Sequence, residues 1–412
     1  MGKNKILLLL TAVLGLTFPV GCWDRVEIEE RGFVMAIGLD MAEEANDGQP
    51  EEKSDQKKLP QLEATYQVAI PANLQTGGGS GGTGGGEGSG GKSEGKAFMN
   101  LTIKGDALFK TVRLAGTRSS RTLYFEHNKL VVIGEELAKT GYLPNVIDML
   151  LRDHEMRRRM KVVVVQGKAK EALNARPVQE KLNSEYLDSL TENFQRTPRM
   201  PKEMTIGDLS ENLNGKSSFV LQRAIPYKDE VKIVGAAVMH GHDNKLVGWL
   251  TGEETEGLSW VTGKMKGGIT VAELPSGERV VYEIRRVKTK VIPVVKGGKY
   301  HFTIRIDAEG SIGESWAQRD LMDAQFVKEV EQATREQIQR LTSKTFDKLQ
   351  KELKADVIGL GEELSRKQPK LWEQIKNDWD HGKYYFGNAE IHVEANVQVR
   401  FRGVISKVEK SG

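Results

Sequence analysis

Two segments near the C-terminus alternate apolar and polar residues with a period of two, the pattern of a β-strand with one buried face. In "KYHFTIRID", Tyr300, Phe302, Ile304 and Ile306 fall on one side and His301, Thr303, Arg305 and Asp307 on the other. In "EIHVEANVQVRFRG", Ile391, Val393, Ala395, Val397, Val399 and Phe401 do the same. Between them Leu321, Ala324, Val327, Val330, Ile338, Leu341, Leu349 and Leu353 recur near the helical period. They predict a helix over residues 320–353, about 50 Å long if unbroken. A sheet with one apolar face and a helix with one apolar stripe bury each other. Residues 269–412 are therefore expected to form a C-terminal domain of long helices packed on an antiparallel sheet.

The N-terminal half reads differently. "GFVMAIGLD", "LEATYQVAIP" and the fully apolar "KVVVVQG" are strands, "ALFKTVRLAG" and "LPNVIDMLLRD" have helical spacing, and "NKLVVIGEELAK" is a strand running into a helix. Helices alternating with strands predict a mixed α/β domain over residues 22–183. Two polar tracts interrupt it, near residues 43–58 and 76–96, and neither contains an apolar period. Their composition is that of flexible loops. The second holds Gly86 to Ser93, "GEGSGGKS", which formally matches a phosphate-binding loop with Lys92 as its lysine. A working loop of that kind joins a buried strand to a helix N-terminus, and here glycines precede the match and a strand follows it. Nucleotide binding is not expected.

Residues 184–268 are expected to form a small middle domain. It opens with the helical "SEYLDSLTENFQ", breaks at Pro198 and Pro201, and contains a hairpin whose strands "IVGAAVM" and "KLVGWLT" flank a polar turn from His240 to Asn244. His240 and His242 invite a metal reading, but zinc needs three or four converging ligands, so a solvated turn is expected. Glu253 and Glu254 are adjacent and would point apart in a strand, which gives no acid–base pair. G-x-S-x-G occurs only inside the Gly-rich tract, at residues 78–82 and 91–95, where no strand-to-helix elbow is expected, and no H-E-x-x-H helix occurs. No catalytic residue, cofactor or metal is assigned, and the chain is not expected to be an enzyme. Lys and Arg number 60 against 57 Asp and Glu, a net charge of +3. That balance argues against a nucleic-acid binder. The basic run Arg157 to Lys161 is read as a solvated helix end.

The chain has one cysteine, Cys22, placed immediately after Gly21. One thiol makes neither an intrachain disulfide nor a thiolate metal site. Upstream, Lys3 and Lys5 precede an apolar run of about 13 residues, too short to span a bilayer and typical of an export signal. Residues 1–21 are expected to be a lipoprotein signal peptide, with Pro19 standing where lipoboxes carry leucine. Cleavage makes Cys22 the first mature residue, and a diacylglyceryl thioether there, with an acyl chain on the new amine, gives the two-chain hydrophobicity that stable anchoring needs.

Cys22-Trp23-Asp24-Arg25 is followed by "EIEERGFVMAIGLD", later by "RTLYFEHNKLVVIGEELAKTGYLPNVIDMLLRDHEMR", and near the end by "ADVIGLGEELSRKQPKLWEQIKNDW". In order and spacing these resemble the Ger(x)C family, the lipoprotein C subunits of nutrient germinant receptors in endospore-forming bacteria. The Gly-rich tract and Pro19 depart from that pattern. The resemblance implies a three-domain α+β protein, tethered through Cys22 to the outer face of the spore inner membrane. It also implies two integral membrane partner subunits and a part in sensing amino acids or sugars.

Overall fold

The strands β5 (Leu130–Gly134) and β6 (Lys161–Val165) carry almost nothing but aliphatic side chains, which suits strands covered on both faces. In the computed structural model, which describes residues 30–43, 61–74 and 97–401, both sit in the middle of a ten-stranded sheet. The strand path runs β10 (Lys245–Leu250), β9 (Glu230–His240), β8 (Phe219–Tyr227), β6, β5, β1 (Arg31–Met41), β2 (Leu62–Ala69) and β3 (Phe98–Gly105). Two short strands complete it: β4 (Thr122–Tyr124) pairs with β1 and β7 (Met204–Thr205) with β6.

Strands β1, β5, β6 and β8 pair in parallel, and antiparallel partners extend the sheet to both edges. Parallel pairs need crossovers, which helices supply here. Val131, Ile133, Val162 and Val164 pack on one side with residues from the helices Leu143–Arg152 and Ile206–Gly215. Leu130, Val132, Val163 and Val165 pack on the other with the helices Ala169–Asn174 and Asn183–Thr191. The buried carboxylate of Asp40, at the end of β1, accepts the backbone N–H groups of Ala169 (2.7 Å) and Lys170 (3.0 Å) and so fixes where one of these helices begins. Strands β8 to β10 belong to the segment expected as a middle domain, yet they continue this sheet through β6.

The second sheet has the order β11 (Gly268–Glu273), β12 (Arg279–Lys296), β13 (Lys299–Ser315), β14 (Glu390–Phe401). Tyr300, Phe302, Ile304 and Ile306 are buried, and Arg305 and Asp307 are exposed, as the alternation predicts. On β14 the same alternation is shallower, with Val397 and Val399 buried but Ile391, Val393 and Ala395 only half-buried. The first two pairings are antiparallel, whereas β13 and β14 pair in parallel, which corrects the expectation of a wholly antiparallel sheet. The cause is the connection: the long helix and the shorter helices after it form a crossover that returns the chain to the starting end of β13.

The long helix runs Ala324–Asp347, later in starting than the periodicity suggests. Asp323 accepts the N–H groups of Gln325 and Phe326, a side-chain cap that sets the first turn, and a π-helical segment, Lys348–Leu353, continues the buried stripe. Two further expectations are corrected. Glu253 and Glu254 open a helix, Gly252–Thr262, rather than a strand; Glu254 closes a capping box with Thr251, and Glu253 pairs with Lys344 at 2.7 Å. The helix Leu143–Arg152 ends before the run Arg157–Lys161, which lies in the turn into β6, where Lys161 meets Asp188 and Glu192.

The two sheets share walls. Ala237 and Met239 of β9 face the core under the first sheet, while Ala236 and Val238 face the C-terminal core. That second core is sealed by the helices Gly252–Thr262 and Ala324–Asp347, which touch where Thr345 Oγ1 donates to the Glu254 carbonyl at 2.8 Å. The contact is possible because residue 257 is glycine: a Cβ there would stand 2.4 Å from the Leu341 carbonyl oxygen and 2.1 Å from Thr345 Oγ1. Gly257→Ala should therefore push the helices apart and cost about 3 kcal/mol of stability. The urea midpoint of the purified chain reads this directly, and an unchanged midpoint would show that the crossing has room to spare.

Candidate functional site

Where the two layers meet, a crevice of about 570 Å³ opens, lined in part by Lys216, Ser218, His242, Trp372, Asp380 and His381. Its first wall comes from the ten-stranded sheet. The helix Ile206–Gly215 starts on a capping box between Thr205 and Asp208 and ends at Lys216, whose φ of 52° turns the chain sharply into β8. Gly241, in the β9–β10 turn, lies so close to this bend that a Cβ would stand 2.3 Å from the Ser217 carbonyl carbon. Its N–H donates to Ser218 Oγ at 3.0 Å, which holds the histidine-bearing turn against the bend.

The second wall is built around Asp356. Oδ1 accepts the N–H groups of Gly359 (3.0 Å) and Leu360 (3.2 Å), and Oδ2 accepts those of Gly361 (2.7 Å) and the Trp379 indole (2.7 Å). Three of these donors are backbone groups at the start of the helix Leu360–Lys367 that have no intrahelical acceptor. One carboxylate thus starts a helix and pins Trp379, the ring on which Phe302, Tyr300 and Trp372 pack edge-on. Burial raises the pKa of Asp356, opposed by its bonds to Gly361, Trp379 and Leu360.

Residues 380 and 381 join the walls. Ser218 Oγ donates to Asp380 Oδ2 at 2.6 Å, and His240 Nε2 lies 3.2 Å from the Asp380 carbonyl oxygen. Nδ1 of His240 faces Asp243 at 3.0 Å, and His381 Nδ1 stands 3.3 Å from Asp380 Oδ1. The His242 and His381 rings stack with centroids 4.0 Å apart and planes 15° from parallel. The turn expected to be merely solvated is therefore docked on the opposite layer.

Serine, histidine and aspartate also make hydrolytic triads, but the wiring here is different. A triad serine gives its proton to an imidazole nitrogen. Ser218 gives its proton to a carboxylate, and His240 turns a nitrogen to a carbonyl oxygen. The arrangement holds two layers together and is not that of a Ser–His–Asp triad. Among the described residues no group of three His, Cys, Asp or Glu side chains stands where it could hold a metal ion. No described helix is long and apolar enough to cross a membrane.

Cys22, the match around Lys92, most of the 43–58 tract and the 76–96 tract lie outside the described residues. Of the residues at this junction, the sequence draws attention to His240 and His242, and reads there as a solvated turn. Ser218, Asp356, Asp380 and His381 were not singled out by residue type. The spacing Asp356-x-x-Gly359-x-Gly361 is the cue that was available, since a carboxylate ahead of closely spaced glycines can collect their N–H groups.

Partial burial, then the charges of His381 and His240, lower the pKa of His242. A histidine depressed in the fold contributes stability above its unfolded pKa of about 6.5 and loses that contribution as the pH falls. Lys216 adds to the depression and Asp243 opposes it. Asp356 acts in the opposite sense at lower pH, because a raised carboxyl favours the fold when protonated. The melting temperature should thus drop more for the wild-type chain than for His242→Asn between about pH 7.5 and 5.5. Parallel melting curves for the two proteins would contradict the assignment.

Comparison with known proteins places this geometry in a family. The model of the spore germination protein N-terminal domain matches residues 24–224, and that of the spore germination B3/GerAC-like C-terminal domain matches residues 234–403. The two matched regions meet at the β8–β9 hairpin, inside one sheet. Spore germination protein YndF of Bacillus subtilis (strain 168) is 30% identical over 406 residues, covering 98% of this chain and 98% of that protein. Spore germination protein A3 of the same organism is 29% identical over 97% of both chains, and spore germination protein B3 is 26% identical over 94% of this chain and 95% of its own. The crystal structure of the GerBC protein superposes with a TM-score of 0.58 at 23% identity, over 89% of this chain and 98% of that one, and shares the α+β fold. The chain belongs to the Ger(x)C family of spore germination proteins and has a role in germination.

Proposed function

We propose that this chain is a non-catalytic lipoprotein subunit of a nutrient germinant receptor. Cys22 carries the lipid and holds the chain on the outer face of the spore inner membrane, beside two integral membrane subunits. The subunit works by assembly and conformational coupling. The observation that carries the non-catalytic reading is the junction itself, whose serine donates to the Asp380 carboxylate that ties the two layers together rather than to an imidazole, as a triad serine does. Kinship along the whole chain supports the receptor reading. Direct binding of a small solute is a second reading, favoured by a crevice volume of about 570 Å³, within the range of small-molecule sites.

Affinity capture of the tagged chain from detergent-solubilised spores, with mass spectrometry of the eluate, tests both the partners and the anchor. Two integral membrane proteins should copurify, and the mature N-terminal peptide should begin at Cys22 with diacylglycerol on its sulfur. Cys22→Ala should lose the thioether and reduce the membrane-bound fraction. Recovery of the chain alone, with a free thiol in a peptide still carrying Pro19-Val20-Gly21, would sink the proposal. Calorimetric titration with amino acids and sugars tests the solute reading separately.

A further inference from the structure

Between residues 284 and 306 the chain has seven Lys or Arg and no Asp or Glu, although its overall charge is nearly balanced. This stretch is the distal half of the β12–β13 hairpin, closed by Gly297 and Gly298. Val287, Val291 and Val295 point inward and pack on the C-terminal core. The alternate residues Arg286, Lys288, Lys290, Ile292, Val294 and Lys296 stand on the outer face of the sheet, where successive side chains of one strand are about 7 Å apart.

Nearby carboxylates of β12 and β14 compensate part of this charge. Arg285 pairs with Glu283, Lys299 with Glu390, and Arg305 with Glu394. Asp307 lies opposite Lys288 in the register but accepts a hydrogen bond from Asn396. His301 faces Glu390. Arg286, Lys288, Lys290 and Lys296 form no ion pair among the described residues. Beside them Val294 is 50% exposed and Ile292 half-buried, so the cationic row runs into an aliphatic end.

We propose that the outer face of this hairpin docks on an anionic lipid surface. Diffuse cations on long aliphatic stems, next to exposed Ile and Val, match a plane of phosphate headgroups over acyl chains. A protein partner is the less favoured occupant, because the aromatic anchors that dominate protein interfaces are missing from this row of β12. The inference uses the proposed Cys22 anchor for one purpose only, to bring the face to a bilayer. Anchor and hairpin together then set how the receptor subunit is turned on the membrane.

The test is lysine footprinting by acetylation and mass spectrometry on the full-length chain in nanodiscs of phosphatidylcholine, alone or mixed with phosphatidylglycerol. Lys110, an exposed lysine of the first layer, is the internal reference. Acetylation of Lys288, Lys290 and Lys296 should slow about five-fold on anionic discs relative to neutral ones, and high salt should abolish the difference. Lys288→Glu with Lys290→Glu, both at exposed positions, should remove the protection of Lys296. Equal rates on the two disc types would overturn the proposal, as would protection seen only on native spore membranes, which would assign the face to a protein. A chain that misses neutral discs but binds anionic ones with these lysines protected would count against the anchor and for the hairpin.

Discussion

A single hydrogen bond, from Ser218 to Asp380, joins a residue of the ten-stranded layer to one that lies 162 positions later. Everything near the crevice is arranged around that pair. On one side, the bend after Lys216 and the close approach of Gly241 put the serine and both turn histidines at the same edge. On the other, Asp356 gathers three backbone N–H groups and an indole N–H, which fixes Trp379 and with it the neighbouring Asp380 and His381. A bond accepted by a carboxylate is worth about 1.5–3 kcal/mol, and leaving such a group buried without its donor costs more than the bond contributes.

Packing makes the same connection without charge. Strand β9 sends alternate residues into two cores, so neither layer has a closed surface of its own on that side. The helix Gly252–Thr262, buried along most of its length, lies against the long helix at Gly257 and carries Trp260, fully buried, into the C-terminal core. An opening of the junction would expose these apolar residues to water. A motion between the layers that kept both cores buried would have to pass through the crevice, where the contacts are polar and part of the lining faces solvent. That is the physical basis for coupling in the proposed receptor subunit: the soft contact lies between two stiff layers.

Legibility of the structure in the sequence followed physical range. Strand alternation at 300–306 and the aliphatic run of β6 depend on which side of one element is buried, and both were readable. Pairing direction depends on what lies between two strands, so the parallel match of β13 with β14 was missed. Helix limits depended on a side chain: Asp323 caps the long helix. Glu253 and Glu254 became helical for a similar reason, since Thr251 and Glu254 satisfy each other's free groups. The crevice was the least legible feature. Ser218, Asp380 and His381 are ordinary surface residues by type, and only the meeting of segments far apart in the chain makes them a site. The histidines stood out, but the ring that stacks on His242 comes from residue 381.

If the two layers are coupled through Asp380, a double-mutant cycle with Ser218→Ala and Asp380→Asn in urea unfolding is the most direct measurement of it. A single cooperative transition should persist in all four proteins. The two losses should be non-additive by about 1.5 kcal/mol, since either change alone removes the same charge-assisted bond. Additivity within about 0.5 kcal/mol would mean that the Ser218–Asp380 bond couples nothing, and two separated transitions in the wild-type chain would mean that the layers are stable independently.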